Sequence, residues 1–416
     1  MKKNKLASFI FAGVLAVSSV PVFTGCAPRN EVLRIYNWGD YIDESLIGKF
    51  ESWYKAETGK RIEVEYDTFD TNEDMIMRIE VIKSDYDLVC PSDYMAERMI
   101  KNGLAQKVDR SIFDMTDDFM YDGLAEMIEP FDEYHEYFVP YVWGTFGLMY
   151  DTNHIEAGSE EMKTWGAMWS SKYKKRILMK DSVRDAYSVS RIYQNREKLA
   201  ELSNGFTDYN DEYRKELTTY FTEISMSAIK SAQNSLIKQK SYLYKYEVDD
   251  GKNDMLAGTT KAWLGLFWTC DTCLIMQEDG GDHFYYEVPK EGSNVWVDGW
   301  IIPKYAGNKT AANYFLKFIS MYEGDGKHDY AMTNFEYMGA SMASKSVMAA
   351  AKADLEEDDG TDEDSVFYGK EPWFKQMYID MLFPTDEVLS RCAVMRDFGK
   401  KWSTELDSMW IDVKTS

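Results

Sequence analysis

The chain has 416 residues, of which 15% are aromatic, and it carries a formal net charge of -24 at pH 7. This length is too great for one comfortable hydrophobic core and suits two domains. The acidic balance argues against nucleic acid and anionic ligands and favours cationic ones. Exported proteins are often acidic for solubility alone, so the charge by itself does not decide the ligand.

The N-terminal segment predicts export to the periplasm. Three lysines in the first five residues precede an apolar stretch that ends in small residues before Cys26, as in a secretion signal. The run "VFTGC" is similar to a bacterial lipobox, so we expect a signal peptide over 1–25 and a tether over 26–30 with a lipidated Cys26. A cleaved signal with an incidental cysteine is the alternative. No later apolar run reaches the roughly 18 residues that span a bilayer, so membrane contact is expected through the lipid anchor only.

Strand and helix patterns alternate from Val32 onward. This alternation predicts βαβ units, and therefore an α/β fold with mainly parallel sheets covered by helices on both faces. Gly59 follows the first predicted helix at the position of a helix C-cap. The predicted strands are "VLRIYNW", "RIEVEY" and "YDLVC", and the predicted helices cover 44–58, 72–83 and 93–102.

A second block begins with the extended aromatic run "FVPYVWGTFGLMYD", over 138–151. Such a run suggests that the chain crosses here from one domain to the other. Further strands are expected over 261–268, 285–289 and 295–303, and helices around 160–170, 211–240 and 309–322.

The cysteines do not form a recognisable metal or redox motif. Cys270 and Cys273 make one C-x-x-C, but no second pair completes a zinc site. A thioredoxin-type centre belongs to a compact domain of about 100 residues. We therefore expect two packed thiols or one local disulfide. The acid-rich run over 354–365 lacks the spacing of an EF-hand and is interpreted as a solvated loop.

No catalytic motif is present. The chain lacks a P-loop, GxGxxG, HExxH and G-x-S-x-G, and its four histidines are scattered. We expect no enzyme activity, no metal and no cofactor. A hydrolase that uses a carboxylate pair stays open as an alternative.

Aromatic residues accompanied by a polar or acidic residue recur just beyond the carboxyl ends of four predicted strands, where ligands bind in open α/β sheets. Aromatic faces attract cations and cover methylene chains, and carboxylates accept charge-assisted hydrogen bonds from ammonium groups. An aromatic box with acids at its ends fits an aliphatic diamine or triamine. Buried core aromatics or a carbohydrate site are the alternatives. These residues are Trp38, Asp40 and Tyr41, then Ser92, Asp93 and Tyr94, then Trp268 and Asp271, and finally Trp296 and Asp298.

The motifs together resemble the spermidine/putrescine-binding proteins that serve polyamine ABC transporters. The resemblance covers nearly the whole mature chain and includes "RIYNWGDYI", "VPYVWGTFGLMYD" and "PKEGSNVWVDGWIIP". It implies a two-lobed periplasmic-binding-protein fold of type II, with the ligand in the cleft between the lobes. The implied lobes are 31–143 plus 297–342 and 144–296 plus 343–416.

The resemblance also implies a ligand site. Asp298 is expected to hold an ammonium group of the ligand, and Asp185 or Asp271 a second one. Ser182 stands where the spermidine-type protein has an acid, and Met395 where it has a glutamine, which leaves putrescine and spermidine both open as ligands. The implied ligand-contacting residues are Trp38, Asp40, Tyr41, Ser92, Tyr94, Asp185, Trp268, Asp271, Trp296, Asp298 and Tyr337.

These observations predict a monomeric, lipid-anchored receptor that captures putrescine or spermidine and delivers it to an ABC permease with its ATPase. A carbohydrate-binding lipoprotein, or one for another cationic solute, is the alternative.

Overall fold

The described part of the chain is folded throughout into alternating strands and helices. The structure is a computed structural model and describes residues 29–115, 119–120, 124–132, 135–248 and 250–416. The predicted signal peptide and Cys26 lie outside the described residues.

The strands are, in chain order, β1 (Val32–Trp38), β2 (Glu63–Phe69), β3 (Leu88–Val89), β4 (Ala105–Gln106), β5 (Phe138–Asp151), β6 (Ile177–Lys180), β7 (Leu243–Glu247), β8 (Leu264–Trp268), β9 (Phe284–Glu287), β10 (Ser293–Pro303), β11 (Ser341–Met342) and β12 (Cys392–Ala393). The α-helices are α1 (Ser45–Thr58), α2 (Asn72–Met77), α3 (Asp93–Lys101), α4 (Leu124–Ile128), α5 (Val183–Gln194), α6 (Arg196–Leu202), α7 (Asp211–Thr222), α8 (Met226–Lys240), α9 (Asp250–Leu256), α10 (Thr269–Gln277), α11 (Lys309–Ile319), α12 (Tyr330–Met338), α13 (Lys345–Glu357), α14 (Pro372–Leu382), α15 (Asp386–Ser390) and α16 (Lys400–Thr415). A π-helix over Arg78–Ile82 continues α2, and short 3₁₀ turns cover Arg29–Glu31, Glu160–Met162, Trp165–Trp169, Ser171–Tyr173 and Gly281–His283.

Two half-sheets share a pair of long central strands. The strand order is β2-β1-β3-β10-β5-β8-β6-β7. On one side, β1 is parallel to β2 and β3. On the other side, β6 is parallel to β7 and β8. The long strands β10 and β5 lie antiparallel between the two parallel groups. This arrangement is the predicted two-lobed α/β fold.

β5 belongs to both halves. Its first part pairs with β10 as far as Thr145, opposite Val295, and its second part pairs with β8 from Phe146, opposite Trp268. All but the last residue of β5 and every residue of β10 are buried, as expected of strands covered on both faces. The run "FVPYVWGTFGLMYD" is therefore the predicted crossing between lobes, although the lobe boundaries themselves stay a prediction.

Apolar helix faces cover each half-sheet. In α1, Leu46, Phe50 and Tyr54 are buried at a spacing of four residues, and burial of a side chain such as that of Phe50 contributes about 1.5–3 kcal/mol. Gly59 ends this helix in the left-handed conformation (φ 71°), and its N–H donates to the carbonyl of Lys55. The predicted helix and its cap are both confirmed.

The helix expected around 160–170 is wrong. Three short 3₁₀ turns occupy this segment. The side chains of Thr164 and Ser170 accept hydrogen bonds from the backbone N–H groups of Gly166 and Lys172. Such local side-chain to backbone bonds compete with a continuous helix.

Candidate functional site

A cavity of about 680 Å³ lies where the carboxyl ends of parallel strands from both half-sheets meet. β1 and β2 end at it on one side, and β6, β7 and β8 end at it on the other. Most of the predicted ligand-contacting residues therefore come together. Those that line the cavity are Trp38, Asp40, Tyr41, Ser92, Tyr94, Asp185, Trp268, Asp271, Trp296 and Asp298.

Asp298 offers a buried acceptor to the cavity. Asp298 is only 4% exposed. The Tyr41 hydroxyl donates to Oδ2 of Asp298 (2.9 Å), whereas Oδ1 has no hydrogen-bond partner within the described residues. Burial raises the pKa of Asp298 to about 6, against the opposing effect of the Ser92 and Tyr41 hydroxyls. A buried carboxylate oxygen without a donor is the group that a ligand ammonium satisfies best.

Aromatic rings surround this carboxylate. Trp38 packs against Phe69, with ring centroids 4.4 Å apart, and lies 6.2 Å from Tyr41. The Trp296 indole N–H donates to the carbonyl of Thr145 (3.1 Å), which fixes the ring on β5. Close approach of Trp296 requires Gly144, because a Cβ there would lie 2.7 Å from the indole. The aromatic side chains can therefore cover the methylene groups of a ligand while Asp298 accepts a hydrogen bond from its ammonium group.

Asn72 organises the polar group at the start of α3. Its Nδ2 donates to the Ser92 hydroxyl (3.0 Å) and to the Tyr94 hydroxyl (3.1 Å), and its Oδ1 accepts from the Ser92 N–H (3.1 Å). Asn72 is 5% exposed and was not predicted from the sequence. It lies just after β2, at a strand end like several of the predicted residues around it.

Asp93 also lines the cavity, but its carboxylate is hydrogen-bonded to the protein backbone. It accepts from the N–H groups of Tyr94 (2.6 Å) and Val297 (3.2 Å). Burial, and then the charge of Asp298, raise the pKa of Asp93 to about 8. A positive charge in the cavity would therefore stabilise the ionised forms of both carboxyls.

Asp185 and Trp268 form the facing wall. The Trp268 indole N–H donates to Oδ2 of Asp185 (3.2 Å). Burial raises the pKa of Asp185 to about 6, and Ser182 and Lys180 oppose this rise. Ser182, which replaces an acid in the resemblance, accepts from the Asp185 N–H and caps α5. The position of Asp185 is consistent with its predicted role of holding an amine.

Asp271 contacts two ammonium groups that belong to the protein itself. Lys180 lies 2.8 Å from Oδ2 and Lys252 lies 2.9 Å from Oδ1. Burial would raise the pKa of Asp271, but the charges of Lys180 and Lys252 outweigh it and hold this pKa below its usual value. That Asp271 holds a ligand amine stays a prediction, and Lys180 was not among the predicted site residues.

Tyr337 and Asp40 lie at the margin. Tyr337, on α12, is half-buried and does not line the cavity. Asp40 is exposed at the rim and has a left-handed backbone (φ 58°). Their contact with a ligand stays a prediction.

The cysteines beside Asp271 are packing residues. Cys270 and Cys273 are buried, and both are free thiols in the structure. Burial raises the pKa of each thiol, which disfavours the reactive thiolate. Of the two predicted alternatives, the structure has the packed thiols.

An acidic surface loop could supply metal ligands outside the cavity. Side-chain atoms of Glu323, Asp325 and His328 lie within 4.8 Å of one another. Hydrogen bonds from the backbone N–H groups of His328 and Lys327 lower the pKa of Asp325 to about 2. Backbone N–H groups of the loop therefore already stabilise the Asp325 carboxylate, and exposed acidic groups of this kind are common in proteins without a bound ion.

In the part of the chain that the structure describes, no helix has the length and apolar character to cross a membrane.

Two α/β lobes joined by crossing strands, with one polar and aromatic cavity between them, define a solute-binding protein. The sequence matches the model of the bacterial extracellular solute-binding protein family over residues 49–335. The chain belongs to this family, in agreement with the resemblance seen in its motifs.

Similar proteins narrow the comparison. The chain is 29% identical to the spermidine/putrescine-binding periplasmic protein of Salmonella typhimurium over 310 aligned residues. This alignment covers 74% of this chain and 77% of the Salmonella protein. The substrate-binding protein PotD of a Streptococcus pneumoniae spermidine/putrescine ABC transporter superposes with a TM-score of 0.64 at 23% identity, over 92% of this chain and 99% of that one. The TpPotD lipoprotein of Treponema pallidum superposes with a TM-score of 0.64 at 22% identity, over 92% of this chain and 100% of that one. The structural matches confirm the predicted fold.

Proposed function

We propose that this chain is the solute-binding receptor of an ABC importer and that it captures putrescine or spermidine between its lobes. The observation that carries this proposal is the buried Oδ1 of Asp298, which has no hydrogen-bond partner among the described residues and faces a cavity lined by aromatic rings. An ammonium group satisfies this oxygen, and the faces of Trp38 and Trp296 cover the methylene chain beside it. The names of the similar proteins, which specify spermidine and putrescine, support the same ligand class.

Transport follows from differential binding rather than from chemistry. A ligand that contacts both lobes at once stabilises the closed arrangement over the open one. A permease and its ATPase distinguish the two arrangements and accept the ligand from the closed form. No covalent step is proposed, and the receptor acts as a monomer.

Anchorage is proposed through a lipid on Cys26 after removal of residues 1–25. The charged and apolar pattern of the N-terminal sequence supports it, and one structural neighbour is a lipoprotein. The anchor would hold the receptor at the periplasmic face of a membrane near its permease.

Calorimetric titration tests the function. The mature chain without its lipid is unfolded and refolded once to remove bound ligand, then titrated with putrescine, spermidine, spermine and a neutral oligosaccharide. Binding of at least one polyamine at micromolar concentration or below is expected, with no heat from the sugar. Sugar binding without polyamine binding would overturn the proposal in favour of a carbohydrate receptor.

An Asp298→Asn variant locates the site in the same assay. We expect it to weaken polyamine binding by about 10-fold or more, because it leaves a buried ammonium without its charged partner at a cost of roughly 2 kcal/mol. Asp70→Asn, which alters an exposed acid of the cavity rim, is the matched control and should bind nearly as the parent does. Equal affinity of the parent and Asp298→Asn would remove Asp298 from the site.

A further inference from the structure

A lysine of the protein lies deep in the wall of the cavity. Lys180 is the last residue of β6 and its side chain is fully buried. Its ammonium lies 2.8 Å from Asp271 and 3.1 Å from Glu247, and it also donates to the carbonyl of Val248. Glu247 is its register partner on the parallel strand β7, so the sheet itself brings the two charges together.

The same ammonium covers an aromatic face. It lies 4.3 Å from the ring centroid of Trp268 and 5.1 Å from that of Phe267. An aromatic face with carboxylates beside it is the arrangement that attracts an amine. At this end of the cavity the protein fills that arrangement with its own amine.

Four charged groups of this cluster are described, two of each sign. Lys180 and Lys252 supply two positive charges, and Asp271 and Glu247 supply two negative ones. Burial would lower the pKa of Lys180, but the charges of Asp271 and Glu247 outweigh it and keep this pKa above its usual value. The ammonium is therefore a permanent part of the wall.

The other buried acids of the cavity have no such partner. Neither Asp298 nor Asp185 forms an ion pair with any described residue, and both line the same cavity. Asp93, which is also buried in the lining, accepts from two backbone N–H groups instead, so Asp298 and Asp185 are the buried carboxylates that a ligand amine can pair with.

We propose that Lys180 is a specificity-determining residue whose ammonium occupies the subsite formed by Trp268, Asp271 and Glu247, so that the cleft selects a short diamine over a triamine. This inference rests on the proposed function. The two amines of the short ligand pair with Asp298 and Asp185. A third amine would approach Lys180 and Lys252 in a desolvated site, where like charges repel strongly and the neighbouring carboxylates of Asp271 and Glu247 are already paired.

Lys180→Met tests the inference, because methionine keeps much of the volume and removes the charge. Dissociation constants for putrescine and spermidine are measured by calorimetry in the parent and the variant. The parent should bind putrescine more tightly than spermidine. In the variant the ratio of the two constants should move toward spermidine by about 10-fold or more, since the repulsion by the Lys180 ammonium is gone and Asp271 and Glu247 are left with negative charge that attracts a third amine.

Lys252→Met is the matched control. It also removes one charge from Asp271, but leaves Lys180 between Asp271, Glu247 and Trp268. The ratio of the putrescine and spermidine dissociation constants should change much less in Lys252→Met than in Lys180→Met. An equal shift in both variants would overturn the proposal, because net charge and not occupancy of the subsite would then set the preference.

Two further outcomes separate the inference from the proposed function. If the parent binds spermidine more tightly than putrescine, the inference fails whether or not Lys180→Met folds, and the polyamine receptor stands. If neither polyamine binds the parent, the proposed function fails first.

Discussion

Two buried carboxyl groups, Asp298 and Asp185, set the electrostatics of the cleft at the scale of single residues. Burial raises the pKa of each to about 6, because the charged form loses solvation that the protein restores only in part. An ammonium partner would supply the missing stabilisation. Each carboxyl must therefore lose its proton for an amine to bind, and binding competes with protonation.

This competition predicts a loss of polyamine affinity at acidic pH. Above pH 7 both carboxyls are ionised and affinity is at its plateau, whereas it falls as the pH drops through 6. A group with a pKa near 6 that binds ligand only when ionised weakens binding about 10-fold at pH 5, and two such groups up to about 100-fold. Titrations at pH 7.5 and pH 5 measure the loss.

The Asp298→Asn variant provides the control for this pH dependence. This variant removes one of the two titrating groups, so its polyamine affinity should fall by only about 10-fold between pH 7.5 and pH 5. A parent affinity that does not change between pH 5 and pH 7.5 would contradict the prediction. The ligand amines stay charged over this range, since their pKa resembles that of lysine, about 10.4.

The strand-end rule identified the acids and aromatics of the cavity, but not how they are partnered. Trp38 and Trp268 were predicted because the carboxyl ends of parallel strands meet at one edge. The same rule placed Trp296 and Asp298 beyond a strand end, which is wrong, since both lie within the antiparallel strand β10. Lys180 also ends a strand, but it was not among the predicted residues. Its role depends on Asp271 and Glu247, which lie far from it in sequence, and only the register of β6 against β7 brings them together.

At the scale of elements, an irregularity in the β5–β10 ladder positions Asp298. The register shifts between Asp298 and Gly299, and such bulges commonly redirect side chains next to binding sites. A Cβ on Gly299 would lie 2.5 Å from the carbonyl oxygen of Val139 and 2.5 Å from the ring of Phe138. Backbone atoms cannot yield there, so glycine is required for the two strands to approach.

Gly299→Ala should therefore destabilise the protein and disturb the site together. Overpacking of this kind lowers the free energy of unfolding by about 1–3 kcal/mol, and polyamine binding should weaken because Asp298 moves. Denaturant unfolding and calorimetry measure the two effects. Gly48→Ala in α1 is the control: its Cβ would meet nothing within 4 Å, and alanine should stabilise the helix by about 0.5–1 kcal/mol. Unchanged stability and affinity in Gly299→Ala would refute this role of the bulge.

Most elements were predictable because their periodicity is local. The predicted strand 32–38 and the crossing strand 138–151 have the bounds of β1 and β5. The helix predicted over 72–83 is wrong in its second half, where a π-helix runs to Ile82 and Lys83 closes it with a left-handed backbone (φ 58°). Apolar spacing does not distinguish these helical types, since they differ in backbone hydrogen bonding.

At the scale of the whole molecule, ion pairs across the cleft complement the ligand. Arg396 binds Glu97 through two nitrogens, at 2.6 and 3.0 Å. Its own backbone N–H donates to the carbonyl of Phe221, so on the proposed boundaries this side chain reaches from one lobe to the other. The Arg184 guanidinium similarly lies 3.9 Å from the ring centroid of Tyr94. On those boundaries both contacts join the two lobes, so we expect them to favour the closed, binding-competent arrangement.

Arg396→Met should weaken polyamine binding although Arg396 does not line the cavity. A smaller closed fraction lowers apparent affinity in proportion, and loss of one interlobe coupling should cost about 5-fold or more. Small-angle scattering should show a larger radius of gyration for the ligand-free variant and an unchanged one at saturating ligand. Arg98→Met is the control, because Arg98 pairs with Glu80 inside one lobe (3.0 Å) and its loss leaves the interlobe contacts intact. If both variants change affinity alike, the Arg396–Glu97 pair acts on stability alone and closure does not depend on it.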